Sequence, residues 1–126
     1  MSDIPKISEA EWQVLKVIWD SPKITASLII ESLKDREEWK SSTVKTLINR
    51  LLTKNAIGYE KLGKEYLYYA LIEEDECVIK ESESFLDRVF NGSINSMVLG
   101  FVKSQKLSKD EITELRNILD ESSCDE

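Results

Sequence analysis

Apolar residues recur at helical spacing in the first half of the chain, switch to strand-like runs near its middle, and return to helical spacing beyond residue 72. The first stretch opens with Ser8-Glu9-Ala10-Glu11, a capping box in which the Ser8 hydroxyl and the Glu11 carboxylate can each accept the other residue's amide proton. Trp12, Leu15, Val17, Ile18 and Trp19 follow, and Asp20-Ser21-Pro22 breaks the run, which predicts a helix over about 8–20. Lys23-Ile24 predicts a short extended piece leading to Thr25, the cap of a second helix in which Leu28, Ile29 and Leu33 recur to about residue 35. Ser41-Ser42 is the expected cap of a third helix. Here Val44, Leu47, Ile48, Leu51 and Leu52 form a stripe to be buried, while Ser42, Lys45, Thr46, Asn49 and Thr53 take the opposite face, flanked by Thr43, Arg50 and Lys54. Asn55, which tolerates left-handed backbone, is the expected terminator.

The runs 57–62 and 65–71 are rich in aromatic and aliphatic residues, with Gly63-Lys64 between them, and predict a hairpin. Three helices followed by a hairpin make a winged helix, a relative of the helix-turn-helix. The tyrosines Tyr59, Tyr66, Tyr68 and Tyr69 are assigned mainly to sheet packing and support of the wing. Beyond Ile72, helices are expected over 73–90, stopped by Asn91-Gly92, in the apolar stretch 94–102, and after a second capping box at Ser108-Lys109-Asp110-Glu111. The expected fold is mostly α with a small β-hairpin wing: a winged helix-turn-helix over 1–72 and a helical dimerisation region over 73–126. Phe85, Val89, Ile94, Met97, Val98, Leu99, Phe101, Leu115 and Ile118 carry more apolar surface than one thin layer of helices can cover, and a two-fold partner is the expected cover. The alternative is a monomer whose C-terminal helices fold back on the winged domain.

Charge sharpens this picture. The chain of 126 residues has a net charge of −7, which at first argues against nucleic acid. Its distribution does not: residues 1–72 balance to +1 and residues 73–126 to −8. Within 39–64, Lys40, Lys45, Arg50, Lys54, Lys61 and Lys64 stand against Glu60 alone, a basic patch in an otherwise acidic chain. The third helix offers Ser42, Thr43, Lys45, Thr46, Asn49 and Arg50 to a major groove, with no carboxylate to repel phosphate, and Lys61 and Lys64 flank the hairpin turn. These eight residues are the candidate contacts with double-stranded DNA. A polar outer face is common on surface helices, so the weight rests on the element order together with the charge segregation. A winged helix that binds a protein partner instead of an operator is the rival reading.

Other chemistries find little support. The chain has no histidine, which removes the commonest general base and the usual nucleophile pairs, so no catalytic residue is assigned and no enzyme is expected. Cys77 and Cys124 lie far apart and form no metal-like pair, so no metal and no cofactor are expected. The start MSDIPKIS lacks a basic head and an apolar run, and no apolar stretch approaches the roughly 20 residues of a membrane span. A cytoplasmic location is therefore expected, with no membrane partner.

The motifs also resemble a known family, the BlaI/MecI penicillinase repressors. Ser8-Glu9-Ala10-Glu11-Trp12 with Val17-Ile18-Trp19 looks like that family's opening helix, and Thr43-Val44-Lys45-Thr46-Leu47-Ile48-Asn49-Arg50-Leu51 like its recognition helix. Ser84-Phe85-Leu86, Asn91-Gly92, Ser96-Met97-Val98-Leu99 and Glu114-Leu115-Arg116-Asn117-Ile118-Leu119 match its dimerisation region. The resemblance implies a homodimeric repressor on a palindromic operator of a β-lactamase or cell-wall-related operon. It also implies a signalling protease pathway that releases the operator by cleaving the dimerisation region. Two positions depart from the family pattern. Lys40-Ser41-Ser42 replaces Ser-Pro-Lys, and Gly100-Phe101 replaces the usual Asn-Phe at the cleavage position. The clustered C-terminal cysteines of copper-responsive relatives are missing, with Cys124 alone in that region.

Overall fold

A computed structural model describes residues 4–36 and 38–123, and Cys124 lies outside them. The elements run α1 (Glu9–Trp19), β1 (Ile24–Thr25), α2 (Ala26–Lys34), α3 (Ser41–Thr53), β2 (Ile57–Leu62), β3 (Glu65–Ala70), α4 (Glu74–Phe90), α5 (Ile94–Lys103) and α6 (Lys109–Ser123). The fold is mostly helical, with a small antiparallel sheet and the winged-helix order of elements. Compact units span residues 1–80 and 81–126, and the α4 helix contributes to both.

Each local signal has a visible physical outcome. Ser8 caps α1: its amide donates to Glu11 Oε1 at 2.8 Å and its Oγ accepts from the Glu11 amide at 3.1 Å. Thr25 caps α2 by accepting from the Leu28 amide at 3.3 Å. The α3 helix departs from expectation. Its N-cap is Lys40, with no side-chain cap, and Ser41 and Ser42 already lie inside the first turn. At its other end Asn55 is left-handed (φ 61°), and the amides of Asn55 and Ala56 donate to Leu52 and Leu51 in a Schellman closure.

The core gathers one face of each N-terminal helix. Leu15 and Ile18 of α1, Ile29 and Leu33 of α2, and Val44, Ile48 and Leu51 of α3 are buried, together with Ala56 and Ile57 at the root of the wing. The sheet order is β1-β3-β2, so the extended piece at Ile24-Thr25 is an edge strand paired with Tyr68 and Leu67. At the tip, Gly63 (φ 64°) begins a two-residue turn, a conformation glycine adopts without Cβ strain. The Trp19 indole donates to the Ile72 carbonyl at 3.0 Å, tying the end of α1 to the exit of the sheet.

The second unit is built differently. The α4 helix closes at Asn91 (φ 52°) and Gly92 (φ 82°), and α5 is capped by Ser93, whose Oγ accepts from the Ser96 amide at 3.1 Å. The Ser108–Glu111 capping box forms, with contacts of 2.9 and 3.1 Å. None of its described side chains between 81 and 122 is buried within the single chain, and only Phe85–Phe90 makes a ring contact there, centroid to centroid 5.9 Å. No helix among the described residues is long and apolar enough to cross a membrane.

Candidate nucleic-acid interface

The outward face of α3 follows from its buried one. Because Val44, Leu47, Ile48 and Leu51 are committed to the core, the helical period turns Ser42, Thr43, Lys45, Thr46, Asn49 and Arg50 to solvent, and all six are exposed. Thr46 Oγ1 donates to the Ser42 carbonyl at 2.9 Å, and Thr53 Oγ1 to the Asn49 carbonyl at 3.0 Å. With its proton used inside the helix, Thr46 presents an acceptor oxygen and a methyl group, suited to a base edge or a thymine methyl more than to phosphate. Thr46, Asn49, Arg50, Thr53 and Lys54 line a shallow open trough along this face.

The wing brings further cations. Lys61 pairs across the hairpin with Tyr66, Lys64 occupies the turn, and both are exposed. A second cleft, between the start of α2, the middle of α3 and strand β3, is lined by Thr25, Ala26, Ser27, Lys45, Glu65, Tyr66 and Tyr68. The outer face of α3 and the wing therefore meet at Lys45 and Tyr66.

Two members of the basic patch behave differently from the sequence count. Lys54 is turned inward: its ammonium donates to Glu11 Oε1 and to the Lys6 carbonyl, the latter at 2.7 Å. Glu60, the one acid within 39–64, accepts from Lys23 at 2.9 Å. Lys40, Lys45, Arg50, Lys61 and Lys64 stay exposed. Loss of Lys54 from the patch is thus offset by neutralisation of Glu60.

Glu11 is the charged residue that the sequence pattern does not reveal as buried. It is 1% exposed. Burial raises its pKa, but the Lys54 ammonium and the Ser8 amide and hydroxyl outweigh that cost and hold the carboxyl below its usual range. The helical spacing of Glu11 with Val14, Leu15 and Ile18 was the available signal.

The tyrosines also differ from expectation. Tyr68 and Tyr69 are half-buried, as sheet packing requires, but Tyr59 and Tyr66 are 52% and 45% exposed. Cover ends partway along β3, between Tyr68 and Tyr66, while Tyr59, which opposes Tyr68, lies on the edge strand β2. Burial, with the neighbouring Tyr66 and Tyr59 hydroxyls, pushes the Tyr68 phenol above its usual value.

Phe85 and Val89 sit on α4, Ile94, Met97, Val98, Leu99 and Phe101 on α5, and Leu115 and Ile118 on α6. Met97, Val98 and Leu115 are half-buried, and the other six are exposed. Gly100 and Phe101 lie within α5, where both are exposed and nothing lies within 4 Å of the position a Gly100 Cβ would take. Cys77 is buried at the start of α4, and burial, then the Glu76 carboxylate, push its thiol pKa up.

The methicillin resistance regulatory protein MecI of Staphylococcus aureus (strain N315) is 44% identical over 114 residues, covering 90% of this chain and 93% of that protein. The penicillinase repressor of Bacillus licheniformis is 40% identical over 121 residues, or 96% and 94% of the two chains. The solution structure of the Bacillus licheniformis BlaI monomeric form in complex with the blaP half-operator superimposes with a TM-score of 0.53 at 36% identity, covering 60% of this chain and 93% of that one. The family model for penicillinase repressor matches residues 7–121. The chain therefore belongs to the penicillinase repressor family, whose members are transcriptional repressors and not enzymes.

Proposed function

We propose that the chain is a homodimeric transcriptional repressor that binds a palindromic operator through residues 1–72 and dimerises through residues 73–126. The observation that carries the DNA reading is the outer face of α3, where Ser42, Thr43, Lys45, Thr46, Asn49 and Arg50 are exposed without a carboxylate among the residues of the helix. Such a face fits a major groove, while Lys61 and Lys64 on the wing reach flanking phosphates. The half-operator complex of a relative at 36% identity supports the same use of this domain.

Dimerisation is supported by the exposed apolar side chains of the second unit. Ile94, Leu99, Phe101 and Ile118 are 62%, 46%, 43% and 53% exposed in the single chain, and a symmetric partner would remove that surface from water. A dimer also places two α3 helices on the two halves of a palindrome. The regulated operon is a β-lactamase or cell-wall-stress operon, a reading supported by the names of the relatives. Release follows proteolysis at Gly100-Phe101 by a signalling protease. The exposure of Gly100 and Phe101 on α5 supports this, although Gly100 departs from the Asn of the family pattern.

The test is fluorescence anisotropy with a labelled duplex from the promoter of the adjoining operon, across a salt series and against scrambled DNA. Sequence-preferring binding that weakens steeply with salt supports the repressor. A folded dimer with no DNA binding at low salt favours a protein-interaction module.

A further inference from the structure

We propose that Tyr66, braced by Tyr59, is a DNA-backbone contact of the wing, its hydroxyl donating to a phosphate oxygen next to the one neutralised by Lys45. This rests on the DNA-binding reading above and adds a neutral contact to its cationic ones.

The strand register puts Tyr59, Lys61, Tyr66 and Tyr68 on one face of the hairpin, since Tyr59 opposes Tyr68 and Lys61 opposes Tyr66. The Tyr59 and Tyr66 rings meet edge to face, centroids 4.9 Å apart at 74°, and Tyr59 also leans on Tyr68 at 6.4 Å. Half-exposed tyrosines with no further role would gain little from such bracing. Tyr66 packs edge to face on Tyr59, which itself leans on Tyr68, so the Tyr66 ring loses little freedom when its hydroxyl engages a ligand.

The direction of the face supplies the ligand. Tyr66 lines the same cleft as Lys45 of α3 and Thr25, Ala26 and Ser27 at the start of α2. The cleft measures about 210 Å³, below the roughly 300 Å³ at which small-molecule pockets begin. Glu65 also lines it and opposes a free anion. A phosphate bound here is therefore one already positioned by the cations of α3 and the wing, as in a duplex.

Hydroxyl and ammonium contacts differ in their salt signature. A lysine on phosphate displaces a counterion, whereas a neutral phenol does not. Tyr66→Phe keeps the ring pair and removes only the hydroxyl. Measured by anisotropy with the promoter duplex and with scrambled DNA, it should bind both roughly five- to tenfold more weakly, with the salt slope and the thermal midpoint of the wild type. Lys61→Ala, in contrast, should lower the slope by about one unit. Unchanged affinity of Tyr66→Phe, while the wild type binds steeply, overturns the Tyr66 contact and leaves the repressor standing. Weaker binding accompanied by a lower thermal midpoint also overturns it, by making the hydroxyl a structural group of the wing. Failure of the wild type to bind DNA removes the reading beneath it.

Discussion

The buried carboxylate of Glu11 in α1 accepts the ammonium of Lys54 at the C-terminal end of α3, and the same ammonium donates to the Lys6 carbonyl at 2.7 Å. The capping box that starts α1 is thereby joined to the end of the helix whose outer face carries Lys45, Asn49 and Arg50. One side chain caps α1, fills a buried position and ties that helix to the end of α3. Removing Lys54 with Lys54→Met leaves Glu11 buried without its cation and should cost about 3 kcal/mol at neutral pH, read by urea unfolding.

The pH dependence carries the sign of the Glu11 shift. Because its folded pKa lies below the ordinary carboxylate value, its contribution is complete above the unfolded pKa and is lost as pH falls through the folded one. The wild type should therefore lose this stabilisation below the ordinary carboxylate range. In Lys54→Met the carboxyl is held by burial at a raised pKa, so acidification through that range should narrow the gap between variant and wild type. A constant gap across the range would separate Lys54 from Glu11.

Gly58 faces the Tyr69 ring across the hairpin, and a Cβ there would lie 3.0 Å from the ring carbons. Gly58→Ala should push the ring aside and lower stability by about 1–2 kcal/mol, visible as a lower denaturation midpoint. An unaltered midpoint would show that the ring yields freely.

Lys45 lies where the α3 face and the wing cleft meet. Lys45→Ala should weaken DNA binding, and loss of a pure phosphate contact should lower the salt slope by about one unit. Wild-type affinity in this variant would remove Lys45 from the interface.

Leu99 and Phe101 are 46% and 43% exposed on α5. In a dimer built on α5, Leu99→Glu or Phe101→Glu places a charge against a partner's apolar surface. Sedimentation should then show monomers with intact helical content, and a persistent dimer would place the two-fold contact elsewhere.

Legibility in the sequence followed the range of each interaction. The capping boxes at Ser8 and Ser108 and the left-handed Asn55 depend on residues within one helical turn, and the pattern exposed them in advance. The start of α3 turns on a local competition: Ser41 and Ser42 both resemble caps, yet the extended backbone lies at Lys40. Glu11 shares helical spacing with Val14, Leu15 and Ile18, but Lys54 lies 43 residues away, so no local signal could disclose that its ammonium is drawn from the basic patch to that carboxylate. The β1 strand has only two residues, too few for a period, and its pairing with Tyr68 and Leu67 is a tertiary outcome. Tyr59 and Tyr68 oppose each other on one face, but only the fold shows that β3 is the central strand of the sheet and β2 an edge.

The central claim is that paired winged helices hold a palindromic operator. The most direct measurement titrates the intact protein onto a palindromic promoter duplex and onto the isolated half-site, by anisotropy at several salt concentrations. One dimer per palindrome, much weaker binding to the half-site and affinity that falls steeply with salt are the expected results. Equal affinity for palindrome, half-site and scrambled DNA, or no binding at low salt, would contradict it.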